Sequence, residues 1–114
     1  MSERSSSELF KTILKCIDEI YDFTKGMDFE TFADDTKTKY AVLRALEIIG
    51  EAANRIPKEV RLRYEEVEWG KIIRSRNLII HEYEIIDYSV VWKIVTVHLE
   101  PLKNSLNKIL SEIE

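Results

Sequence analysis

Residues 36–56, TKTKYAVLRALEIIGEAANRI, decide the fold. Val42, Leu46, Ile49, Ala53 and Ile56 recur at four- and three-residue steps, the spacing that gathers side chains on one face of an α-helix. Ala41, Ala45, Ile48 and Ala52 form a second stripe. A helix that is apolar on two sides is covered on two sides. This one therefore sits at the centre of a small bundle, or also meets a partner subunit. Gly50, close to Ala52 and Ala53, permits close approach of a neighbouring backbone. Asp35 or Thr36 caps its start, and Pro57 stops it.

The same period extends outward. Upstream, Leu9, Phe10, Ile13, Ile17, Ile20 and Tyr21 mark a helix that stops near Lys25-Gly26. Residues 27–35 form a short acidic stretch anchored by Phe29 and Phe32. Downstream, residues 58–68 read as a short helical turn and a polar connection. A third long helix starts near Trp69 and runs to His81 or Tyr83. The last starts after Asp87, an N-cap, and carries Val91, Ile94, Val95, Leu99, Leu102, Leu106, Ile109 and Ile113. Pro101 lies inside that stripe, where its missing N–H is expected to kink or divide the helix. Strand alternation, repeats and low-complexity tracts do not occur. The expectation is an all-α, four-to-five-helix up-and-down bundle, one domain over residues 1–114 with the Ser-rich residues 1–8 flexible.

With 114 residues the chain has one core. A net charge of −4 excludes a protein that wraps nucleic acid by wholesale positive charge. The charge is uneven, however. Arg55, Lys58, Arg61, Arg63, Lys71, Arg74 and Arg76 stand against four Glu within residues 55–76, a net +3 inside an acidic chain. Taken alone, such a run reads as ordinary solvated helix faces. The single Cys16 makes neither an internal disulfide nor a cysteine zinc site. No apolar run is long enough to cross a membrane, and the start lacks a signal peptide's apolar core, so a cytoplasmic protein with no membrane partner is expected.

Arg76 breaks the stripe Trp69, Ile72, Ile73, Ile79, Ile80, Tyr83. Either its stem packs while its head reaches water or a carboxylate, or it lines a pocket that binds an anion. Asn77, His81 and Tyr83 lie within seven residues of it. Together these supply a fixed cation, an amide, a group titrating near neutrality and a phenol. Arg can hold a phosphodiester bidentately, and His can take a proton from an attacking hydroxyl or give one to a leaving oxygen. This chemistry needs no metal or other cofactor, and His81-Glu82 lacks the second His of a zinc-protease motif. His98, beside Leu99, reads as a core-edge histidine. Geometry poses one problem. Positions 76 and 81 are about 140° apart around a straight helix. Either the helix ends or deforms near His81, or two copies of the helix complete the site across a two-fold interface, the reading preferred here with fraying at His81 contributing.

Arg76 to His81 fits the Arg-polar-x-x-x-His pattern of the HEPN superfamily of small α-helical ribonucleases. With Glu82-Tyr83 it resembles the Arg-x4-His-x-Tyr motif of the HepT-like toxin branch. Residues 41–53, AVLRALEIIGEAA, resemble that branch's second-helix signature, and residues 67–83 and 91–95 also fit. The resemblance implies a homodimer with paired motifs in an interface cleft and metal-independent cleavage of RNA. In it Arg76 stabilises the phosphate and the transition state, His81 is the general acid/base, and Asn77 orients the site. It further implies a nucleotidyltransferase antitoxin as partner, which transfers AMP to Tyr83 and binds the toxin. A nucleotide attached there adds negative charge and bulk to a phosphate cleft.

Two other readings compete with a ribonuclease toxin. One is a non-catalytic helical module that binds a nucleotide or holds a nucleotidyltransferase. The other is a plain structural dimer, for which the intact motif has no use.

Overall fold

The computed structural model describes residues 3–81 and 86–113, with the side chains of residues 6–75 and 86–113. In α1 (Glu3–Thr24), Phe10, Ile13, Ile17 and Ile20 are fully buried along one face. Burial of each such side chain stabilises by about 1.5–3 kcal/mol before the entropy of ordering it is counted. The helix reaches back into the Ser-rich start. Residues 3–8 are helical and Ser6 and Ser7 are buried, where composition alone suggested a flexible tail. Gly26 ends this segment with φ +78°, the left-handed conformation in which a side chain is strained.

The acidic stretch folds as α2 (Phe29–Asp34), capped by Asp28, whose carboxylate accepts from Thr31 N–H at 2.8 Å. Of the two expected anchors only Phe32 is one. It is fully buried, with ring centroids 6.3 Å from Tyr88 and 4.9 Å from Trp92, while Phe29 is exposed. Asp35 both terminates α2 and caps α3 (Thr36–Arg55), accepting from Thr38 N–H at 3.0 Å. The first stripe of α3 is buried at Val42, Leu46, Ile49 and Ala53, and the second at Ala45 and Ala52 while Ala41 and Ile48 are half-buried; α3 packs on α1 and on α5.

Pro57 sets the N-terminus of α4 (Lys58–Arg63), which inserts Val60. The connection to α5 (Trp69–His81) is less polar than it reads, because Tyr64 and Val67 are buried. Asp87 caps α6 (Tyr88–Lys93), accepting from Ser89 N–H at 2.9 Å. A π-helical turn over residues 94–98 then leads into α7 (Leu99–Ile113). This is the form the Pro101 disturbance takes. Proline at 101 cannot donate to residue 97 and crowds its carbonyl, and the wider turn just ahead absorbs the mismatch without a break in the stripe. Val91, Val95, Leu99, Leu106 and Ile109 stay buried through it.

Helix directions follow from cross-contacts. Tyr21 and Asp18 on α1 pair with Glu100 and Lys103 on α7, so the two run antiparallel. The described residues form an all-α bundle around one apolar core, without strands, and no helix among them is long and apolar enough to cross a membrane.

Candidate active site

The motif helix is anchored at its first residue. Trp69 is buried, its ring stacks on Phe10 of α1 with centroids 6.1 Å apart, and its indole N–H donates to Tyr64 O at 3.1 Å. One turn on, Ile72 and Ile73 pack against the core. α5 is regular from Trp69 to His81, so register places each later position. Position 76 falls in the row of Ile72, one turn on. Positions 77 and 81 continue the row of Ile73, with His81 about 140° from 76. No deformation up to His81 brings the two onto one face. Arg76, Asn77 and His81 thus stand on one helix on two faces. Tyr83 and the side chains of those three lie outside the described residues.

The row of His81 contains one further cation. Arg74 precedes His81 by seven positions, within about 20° of it around the axis, and Lys71, three before Arg74, lies about 80° from His81. Both line a groove of about 450 Å³ between α4 and α5, with Lys58, Arg61, Glu65 and Glu68. Lys71 Nζ lies 2.8 Å from a Glu68 oxygen, and that hydrogen-bonded ammonium holds the Glu68 carboxyl below its usual range, with His98 adding to the effect. His98 is not among the residues that line the groove. It is exposed on the π turn, not at the core edge where its neighbour Leu99 suggested it belongs, because Leu99 alone turns inward. The convergence of these cations was invisible as sequence. Its only trace was the net +3 of residues 55–76.

Cys16 offers no nucleophile: it is buried, and burial, followed by the charge of Glu19, pushes its thiol up. Among the described residues no three His, Cys, Asp or Glu side chains are grouped as metal ligands.

Comparison with known proteins fits this arrangement. Residues 13–109 match the family described as ribonuclease HepT-like. Two proteins of Methanocaldococcus jannaschii named as candidate RNases are 36% and 38% identical over 114 residues, covering all of this chain and 98% of each relative. A protein of Thermococcus cleftensis named as a probable ribonuclease HepT is 38% identical over 107 residues, 94% of this chain and 97% of the relative. No solved structure matches. A family match across most of the chain, with full-length relatives at this identity, establishes that the chain belongs to the HepT-like ribonuclease family.

Proposed function

We propose that this chain is a metal-independent RNA endonuclease, the toxin of a pair whose antitoxin is a nucleotidyltransferase. The observation that carries the reading is the Arg76-x4-His81-x-Tyr83 motif on α5, inside a family match spanning residues 13–109. Arg76 holds the phosphodiester and neutralises the charge that builds on it. A ribose hydroxyl attacks phosphorus, the bond to the leaving oxygen breaks, one His81 takes the hydroxyl proton and a protonated His81 gives one to the leaving oxygen. Two histidines imply two chains. A homodimer with its α5 helices paired brings positions 76 and 81, which lie on two faces of one helix, into one cleft. Asn77 orients the site, and AMP placed on Tyr83 by the antitoxin fills the cleft with negative charge.

The test is incubation of purified protein with RNA in excess chelator. Cutting is expected, and His81→Ala and Arg76→Ala abolish it. Intact RNA at high protein concentration, with or without magnesium, overturns the ribonuclease. Nucleotide binding without cutting favours the binding module, and cutting only with magnesium overturns metal independence. Sedimentation as a monomer at micromolar concentration overturns the shared cleft. Co-expression with a nucleotidyltransferase encoded beside this chain should add AMP mass that Tyr83→Phe removes.

A further inference from the structure

The α4–α5 groove carries two more cations than carboxylates on a chain whose net charge is −4. The carboxylates do not consume the cations. Glu68 is engaged by Lys71, and among the described residues Lys58, Arg61 and Arg74 form no ion pair. Arg61 Nε is shut off from solvent and makes no hydrogen bond among the described residues. A guanidinium in that state lacks the partner that its planar fork of donors is built to hold. Arg74 lies back along its helix: a Cβ on Gly70 would stand 3.1 Å from Arg74 Nη1, so the bare glycine leaves room for the head beside the groove. The walls are apolar where the cations are not. Val67 and the buried Trp69 line the groove, and Leu62 stands 64% exposed at its side.

Cations over an apolar wall suit a nucleotide unit, with phosphate on the guanidiniums and ribose or base on the apolar surface. The groove volume is that of a small-ligand site, too small for a duplex. The direction of the groove matters as well. Arg74 stands in the row that reaches position 81, about 10 Å further at 1.5 Å per residue. We propose that the α4–α5 groove binds the backbone of single-stranded RNA, with Arg61 and Arg74 as its phosphate contacts, and leads the strand along α5 to His81. The proposal rests on the ribonuclease reading for its ligand.

The experiment measures binding of a fluorescent single-stranded RNA oligonucleotide to the His81→Ala protein over a range of salt. Adding Arg61→Gln and Arg74→Ala should weaken binding at least tenfold and flatten the dependence of log affinity on log salt by about 1.4, roughly 0.7 for each lost phosphate contact. Lys108→Ala on α7, which removes the same single charge as Arg74→Ala but elsewhere, should leave binding within about twofold. Arg74 is exposed, so Arg74→Ala alone keeps the fold and should show about half the slope change, which decides the matter if the double variant melts by circular dichroism. Unchanged affinity and slope overturn the proposal, as does a loss that Lys108→Ala matches. Binding lost in the groove variants of a protein that never cuts RNA sinks the ribonuclease and keeps the groove. Normal binding and cutting by the groove variants in the His81 background and the native chain, respectively, do the reverse. Retained RNA affinity with lost binding of an acidic protein assigns the groove to a protein partner and overturns the RNA site.

Discussion

Phe10 of α1 and Trp69 of α5 lie ring against ring, centroids 6.1 Å apart and planes 28° apart. This contact fixes where the motif helix enters the core, because Trp69 is its first residue and also donates to Tyr64 O. Trp69→Ala should destabilise by about 3–5 kcal/mol, the usual range for deleting a buried aromatic. Trp69→Phe should cost less, since it keeps an aromatic ring on Phe10 and loses the indole bond and only part of the buried surface. Urea denaturation of the two variants checks the order, and equal losses would deny the stacking its role.

The central helix makes a second prediction. Ala53 is fully buried on α3, which packs on α1 and α5 at once. Ala53→Leu inserts three carbons into a filled space and should cost about 1–3 kcal/mol, although leucine is more hydrophobic and a good helix former. A neutral or stabilising result in urea would show that the core has room there.

Helix α3 also shows what was legible in the sequence and what was not. Its two stripes could be read as two covered faces because periodicity reports burial directly, and Asp35 and Asp87 could be read as caps because a carboxylate before a helical run has few other uses. Phe29 against Phe32, and His98 beside Leu99, could not be separated. Each pair differs in which side of a short or π-helical turn it occupies, and a short turn carries too few residues to fix a phase. Lys58, Arg61, Lys71 and Arg74 were legible as charge but not as a groove. They come from two helices, and α4 with the segment that follows it is held by the buried Val60, Tyr64 and Val67, which belong to no long stripe. The motif pair was legible as chemistry, while its five-residue spacing, on a helix that is regular through His81, keeps positions 76 and 81 on two faces within one chain.

Alkaline pH tests the α1–α7 contact. The Tyr21 hydroxyl donates to a Glu100 oxygen at 2.8 Å. Burial, then that bond to a carboxylate, pushes the phenol up to about 12 from an ordinary 10.0. The folded state thus holds its proton more tightly than the unfolded state. The stabilisation is complete below pH 10.0 and is lost as pH rises through about 12. Tyr21→Phe should cost less than about 1 kcal/mol at neutral pH and should flatten the fall in stability across that alkaline window. A parallel decline in the variant would place the titration elsewhere.

Acid tests the cap of the central helix. Asp35 accepts from Thr38 N–H, and that bond holds its carboxyl below the ordinary 3.8. Here the unfolded state binds the proton more tightly. The cap contributes above pH 3.8 and loses its contribution as pH falls below that value. Asp35→Ala should lower Tm by about 5 °C at neutral pH, in line with loss of one N-cap. The gap from the native chain should close as both are acidified. A gap that persists at pH 2, about two units below the ordinary carboxylate, would mean that Asp35 acts by packing, not by its charge.

Gly70 separates stability from ligand contact. It stands in the first turn of α5 without positive φ, so alanine fits its backbone. Alanine also improves helix propensity, by up to about 1 kcal/mol in a helix interior and less in a first turn. Its Cβ would meet Arg74 Nη1 at 3.1 Å, and the flexible guanidinium must yield by a few tenths of an ångström. Gly70→Ala should therefore hold or raise Tm by a few degrees while weakening single-stranded RNA binding, by less than Arg74→Ala does. The two effects have opposite signs, so loss of fold cannot imitate the result. A Tm rise with full RNA affinity would mean that the resting position of the Arg74 head beside Gly70 is immaterial to the strand, and a Tm fall would mean that α5 needs the glycine for its own packing.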